Sequence, residues 1–347
     1  MGYRWRRAAL AVLVASAVTL PVVGAARPRT PAPPPVTLAP PTAATLDAAY
    51  TAHTVAAGAG SPLGAGEAVA RRAGVDAANP AHPAPAAAAA RMAADHGDRR
   101  RAAADRALAG PDRQLLAFDG RGPGRVTEVL GDLAHADRVA VLVPGSGTGI
   151  DTYGRFRATA EALHARLVRE APAGIRTAVV AWLGYETPGT VTAAVATTGR
   201  ADRAAPELRS LVDDLRTVSG PRAHVSLICH SYGSVVCARA AAGLVVDDIA
   251  VVGSPGTGVD TAAALRTRAR IWAARGADDW VANVPHLSAD LFGTTVGFGT
   301  DPVAPEFGAR VFTAGDGGHG DYFAPGSPSL ANLTRIVLGR TTAVTRD

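Results

Sequence analysis

The chain has 347 residues, 48% hydrophobic and 5% aromatic, which allows one large domain with an appendage and a core built from Ala, Val and Leu. All of its positive side chains are Arg, and the formal charge is +5. Twelve Arg against 6 acidic residues lie before Pro111, and 23 Arg against 24 acidic residues from there on, so the basic excess sits in the N-terminal tail and gives no support to a nucleic-acid partner.

The first 26 residues read as an export signal. Arg4, Arg6 and Arg7 precede an apolar run from Ala8 to Leu20, and Val23-Gly24-Ala25 offers small residues for cleavage after Ala25 or Ala26. The alternative is a retained N-terminal membrane anchor, disfavoured because the run is shorter than the ~20 apolar residues of a spanning helix. Residues 27–110 read as an Ala/Pro/Arg-rich linker with loosely docked helices. Pro28 to Pro41 is too rich in Pro for helix or sheet, and Ala86 to Ala109 holds helix formers with few large apolar residues.

From Pro111 to Asp347 the pattern alternates strands and helices. Strands are expected at Gln114–Asp119, Arg125–Leu130, Arg138–Pro144, Thr177–Trp182, Val225–Ile228, Asp248–Gly253, Arg270–Ala274 and Arg310–Thr313. Helices are expected at Thr152–Glu170, Pro206–Val218, after Gly233, and at Leu330–Leu338. Such alternation implies a doubly wound, mostly parallel α/β sheet covered on both faces, with the Ala/Pro-rich helical appendage ahead of it.

The chemistry gathers around Cys229-His230-Ser231-Tyr232-Gly233, a tight turn between an apolar strand and an Ala-rich helix. This is the context of a nucleophile elbow, whose strained Ser needs small neighbours; Cys229 stands where the usual first Gly would be. The competing reading is a Ser capping a buried helix. A nucleophilic Ser needs an acid and a base, following it in the order Ser, acid, His. Asp279, in the loop after strand Arg270–Ala274, is the expected acid, with Asp278 as alternate. His319, flanked by glycines after the last expected strand, is the expected base, and His230 is expected to face the other side of the turn. Oxyanion donors are expected from the N–H of Tyr232 and from Gly145, Ser146 or Gly147 in the loop Gly145-Ser146-Gly147-Thr148-Gly149. That loop lacks the endings of the phosphate-binding motifs. The long stretch Gly184 to Ala205 is expected to cap the pocket, with Tyr185 at the entrance and Val191 beside it. No metal-ligand spacing is present and no cofactor is expected. The two cysteines, Cys229 and Cys237, are either bridged or two buried thiols.

Taken together, VLVPGSGTG, WLGYETP, CHSYGSVVC, GSPG, DDWV and GGHGDYF resemble the α/β-hydrolase superfamily, and more closely an actinobacterial, often exported, α/β-hydrolase family of unknown function. The resemblance spans about Pro111 to Leu338. It implies the α/β-hydrolase fold and a Ser231, Asp279, His319 triad, but no substrate. Glu186-Thr187 and Cys229 depart from the commoner choices. The expected activity is that of a secreted serine hydrolase acting on an ester, thioester or amide through an acyl-enzyme. The alternatives are a catalytically silent envelope-binding protein or an acyltransferase with the same triad. The expected partner is a small-molecule acyl substrate, with peripheral envelope contact and a monomeric chain.

Overall fold

The computed structural model describes residues 84–189, 197–284, 288–291 and 294–346. The export segment, the Pro-rich linker and Val191 lie outside the described residues.

Eight strands form one sheet in the order β1-β2-β4-β3-β5-β6-β7-β10. They are β1 (Gln114–Asp119), β2 (Arg125–Gly131), β3 (Arg138–Val143), β4 (Thr177–Leu183), β5 (His224–His230), β6 (Asp248–Val252), β7 (Arg270–Ala274) and β10 (Arg310–Val311). A separate hairpin pairs β8 (Ser288–Leu291) with β9 (Thr294–Gly297). β1 and β2 form an antiparallel hairpin, and β2 also lies antiparallel to β4; every other neighbour in the large sheet is parallel. The central strands are buried on both sides, which is why they read as continuous Val/Ile/Leu/Ala runs instead of alternating patterns.

The two-residue strand period sorts those runs into two cores. Val139, Val141, Val180, Leu227, Cys229 and Val251 face α4 (Gly199–Ser219) and α5 (Gly233–Ala240). Ala140, Leu142, Val179, Ile228, Val252 and Trp272 face α3 (Tyr153–Glu170) and α6 (Pro328–Val337). The second core also takes in Ala86 of α1 (Ala84–Asp95) and Leu108 of α2 (Arg99–Leu108). Arg101 of α2 donates to Asp105 and to the carbonyls of Gly120 and Gly122, so this helix pair is joined to the β1–β2 turn through side-chain hydrogen bonds as well as through its small Ala face.

Two boundaries and one added element stand out against the sequence expectation. α4 starts at Gly199, not at Pro206, because Ala201, Ala204 and Ala205 are buried against the sheet and tertiary packing carries the turns ahead of the proline. Pro206 then sits inside the helix, where it lacks an N–H for the carbonyl four residues back. β10 keeps only two residues on β7. Beyond it Thr313 N–H bonds to Thr345, so the chain leaves the sheet for the C-terminal segment. The hairpin β8–β9 has no counterpart in the sequence reading. Among the described residues, no helix is long and apolar enough to cross a membrane.

Candidate active site

In an open parallel sheet, loops leave the C-terminal ends of the strands on one edge, and ligands bind there. The loops after β3, β5, β7 and β10 carry Gly145, Ser231, Asp279 and His319. Ser231 joins β5 to α5 at φ 54°, one of two non-glycine residues with positive φ among the described residues. Its N–H bonds to Val252 O at 3.0 Å and its carbonyl accepts from Ser234 N–H at 2.9 Å, which holds the strained turn from both sides. The turn leaves no room at two neighbours. A Cβ on Gly233 would lie 2.5 Å from Val143 O, and one on Gly145 would lie 2.6 Å from Ser231 Cβ.

Cys229 and Cys237 are bonded, tying the end of β5 to α5 directly behind Ser231, with Cα atoms 6.4 Å apart. This decides between the two readings that the sequence left open. Cys229 fits in place of a glycine because its side chain turns into this bridge in the core, where it is fully buried.

His319 spans the gap between Ser231 and Asp279. Its Nε2 lies 2.9 Å from Ser231 Oγ, and its Nδ1 lies 3.0 Å from both Asp279 carboxylate oxygens. Asp279 is buried and also accepts from the Val281 N–H at 2.8 Å and the Tyr322 hydroxyl at 2.5 Å. Burial alone would raise the Asp279 carboxyl; the hydrogen bonds from Tyr322, the Val281 N–H and His319 outweigh it and hold the group below the ordinary carboxylate range. An ionised carboxylate only accepts, so Nδ1 carries the proton and the Nε2 lone pair faces the Ser231 hydroxyl. Asp278, one residue away, is exposed and takes no part in this chain of bonds.

Three aromatic residues around His319 had no role in the sequence reading. Tyr322 is buried; besides donating to Asp279 it accepts from the Gly276 N–H at 3.1 Å, and burial with the neighbouring carboxylate raises its hydroxyl well above the usual phenol range. His230 is not turned away from the site: its Nε2 donates to the His319 carbonyl at 2.8 Å, and the two rings are 4.7 Å apart. The reason is that β5 ends beside the His319 loop and the imidazole is drawn in to pair with that loop's backbone. Burial, with His319 alongside, pushes His230 down to about 4, so it stays neutral at pH 7. Trp280 lies 4.6 Å from the His319 ring and is 58% exposed. A Tyr three residues after His319 and a Trp directly after Asp279 were visible as letters, but neither has a spacing that announces its contact.

The N–H groups expected as oxyanion donors lie in the turn after β5 and the loop after β3. Among the described residues, no acceptor takes the N–H of Tyr232, Gly145 or Ser146, and Ser146 Oγ is buried without a hydrogen-bond partner. The stretch after β4 laces onto this loop. Tyr185 donates to Pro144 O at 2.6 Å, Thr187 to Thr148 O at 2.8 Å, and Gly147 N–H to Pro188 O at 2.9 Å, which removes Gly147 from the expected oxyanion donors. Tyr185 is therefore not at an entrance. It is 3% exposed and stacked on Trp182, because its ring completes the core and its hydroxyl satisfies the Pro144 carbonyl. Among the described residues no group of three or more His, Cys, Asp or Glu could hold a metal ion.

Residues 119–289 match the family described as Alpha/beta hydrolase, a span that includes Ser231 and Asp279 and ends before His319. An uncharacterized protein of Mycobacterium tuberculosis, in strains CDC 1551 and H37Rv, is 29% identical over 259 residues, covering 67% of this chain and 39% of its own length. Thus the chain spans about two fifths of the length of these curated relatives. Among solved structures, a serine hydrolase without lid from Xanthomonas campestris is 19% identical, covering 67% of this chain and 95% of that one, with a TM-score of 0.38. Esterase PE8 is 17% identical, covering 60% of this chain and 95% of that one, with a TM-score of 0.40. The fold is that of an α/β-hydrolase, and residues 119–289 are similar to that family.

Proposed function

We propose that the protein is an exported serine hydrolase that cleaves an ester, thioester or amide through a Ser231 acyl-enzyme. The observation that carries this reading is the unbroken hydrogen-bonded line from Ser231 Oγ through His319 to Asp279. His319 Nε2 takes the hydroxyl proton as Ser231 Oγ bonds to the substrate carbonyl carbon. The carbonyl oxygen becomes an oxyanion facing the N–H groups of Tyr232 and of Gly145 or Ser146. Collapse of that intermediate breaks the bond to the leaving group, which departs with the proton from His319. Water then attacks the acyl carbon, His319 takes its proton and returns it to Ser231, and the acid is released. Asp279 stays ionised throughout and keeps the imidazole in the tautomer that can accept from Ser231.

Export is supported by the Arg-then-apolar leader and by the Cys229–Cys237 bridge, since disulfides persist in oxidising compartments. A small acyl compound as the partner and a monomeric chain complete the proposal.

The test is labelling with a small fluorophosphonate, alongside hydrolysis of a panel of acyl esters. The wild-type protein is expected to take one label and turn over at least one ester, and Ser231→Ala to do neither while keeping its circular dichroism spectrum. Wild-type protein that takes no label, or a Ser231→Ala variant that turns over normally, overturns the proposal.

A further inference from the structure

Acid–base chemistry at His319 decides where the two halves of a substrate must lie. The proton taken from Ser231 is delivered to the leaving atom, which must come within hydrogen-bond reach of His319 Nε2. Whatever is attached to that atom extends over the surface beside the imidazole, whereas the acyl oxygen faces the backbone donors of the Gly145 loop. Two rings lie against His319. His230 is half-buried and spends its Nε2 on the His319 carbonyl, so that nitrogen is not offered to a ligand. Trp280 lies equally close and is 58% exposed, among the few large apolar side chains left in solvent in the described residues.

Backbone geometry fixes where Trp280 stands. It opens the single helical turn Trp280–Asn283, whose N-cap is Asp279, with the carboxylate accepting from Val281 N–H. The same carboxylate orients His319, so the indole is held beside the imidazole without needing a packed pocket of its own. The loops on either side carry exposed carboxylates at Asp278, Asp316 and Asp321, and residues 276–309 contain no Arg or Lys.

An indole face takes up broad apolar surfaces such as an aryl ring or the C–H face of a sugar, and carboxylates nearby repel anions. Resting on the serine-hydrolase reading above, we infer that Trp280 forms a leaving-group subsite. Its preferred substrates are esters of uncharged, ring-bearing alcohols, aryl or glycosyl, and leaving groups that carry phosphate are disfavoured.

The experiment compares wild-type, Trp280→Ala and Trp280→Phe on acetate esters that differ only in the alcohol: ethyl, benzyl, a glucoside 6-O-acetate and a phosphate-bearing alcohol. Each variant is read relative to wild type on the same ester, so intrinsic reactivity cancels. Trp280→Ala is expected to lower kcat/KM roughly tenfold on the benzyl and glucosyl esters and less than about threefold on the ethyl ester, with Trp280→Phe restoring most of the loss. The deacylation rate of the common acetyl-enzyme and labelling by a small fluorophosphonate are measured in parallel, and any change in them, being common to all four esters, divides out of the comparison. Wild-type activity on the phosphate-bearing ester should rise with added salt, while that on the neutral esters should not. An equal loss on all four esters, or no loss, with labelling intact, overturns this inference alone. Absence of any label in the wild-type protein overturns the serine-hydrolase reading and this inference with it.

Discussion

Tyr322 donates its hydroxyl to Asp279 Oδ2 at 2.5 Å while accepting from the Gly276 N–H at 3.1 Å. One phenol therefore satisfies the buried acid and also pins the start of the loop that carries it. Tyr322→Phe removes a donor from a buried carboxylate and leaves an amide unpaired. The expected cost is about 1–3 kcal/mol of stability in urea unfolding, since hydrogen bonds to charged groups lie in that range. Loss of that donor weakens the ionised form of Asp279, so its pKa rises, and the steeper break at the foot of the acid side of the kcat/KM profile, where Asp279 itself protonates, is expected to move to higher pH. An unchanged profile in a folded variant counts against the positioning role.

The two adjacent acids separate cleanly. Asp279→Asn places an amide where a carboxylate fixes the imidazole tautomer, and kcat is expected to fall by about 10⁴, the loss seen for the equivalent change in Ser-His-Asp proteases. Asp278→Asn alters an exposed side chain outside the hydrogen-bonded line and should leave kcat on small neutral esters within about threefold. Measured kcat values in the reverse order would exchange the two assignments.

Glycines 145 and 233 differ in how they fail. A Cβ at position 233 meets two backbone carbonyls, Val143 O at 2.5 Å and Pro144 O at 2.7 Å, so Gly233→Ala is expected to destabilise the fold by about 1–3 kcal/mol. A Cβ at position 145 meets the Ser231 side chain, with Ser231 Oγ at 3.1 Å, so Gly145→Ala is expected to lose esterase activity ahead of stability. Thermal melts run beside rate measurements distinguish the two.

Away from the site, Asp248 forms a buried hub on β6. It accepts from Arg270 Nε and Nη2, His224 Nε2 and Trp272 Nε1. Burial alone would raise this carboxyl; the bonds from Arg270, His224 and Trp272 prevail and bring it down to about 2. A depressed folded-state pKa contributes stability that is complete above the unfolded value near 4 and is lost as pH falls towards 2. The contribution is about 2 kcal/mol, and Asp248→Asn should flatten the pH dependence of unfolding over that window. A wild-type curve already flat between pH 4 and 2 rejects the hub's role.

The parallel core was legible because its strands are buried on both faces and print as unbroken apolar runs. Ser231 stood out because the elbow constrains its neighbours in sequence as well as in space. What sequence could not give is contact between loops that meet only at the sheet edge. His230 and His319 are 89 residues apart, and the hydrogen bond between them depends on where β5 and β10 end. Tyr185 read as a pocket residue because it opens a long connection; its ring is instead claimed by Trp182 and its hydroxyl by Pro144. α4 begins ahead of the Leu208, Leu211, Val212 and Leu215 spacing because Ala201, Ala204 and Ala205, too small to mark a period, are buried before it.

Asp279 is at once the partner of His319 and the N-cap of the turn that carries Trp280. On the proposed reading, one side chain sets both the orientation of the base and the position of the indole. A double-mutant cycle between Asp279→Ala and Trp280→Ala should be strongly non-additive. In a lineage that retargets such an enzyme to other alcohols, the open route is to replace the indole while the aspartate that sets its position stays in place.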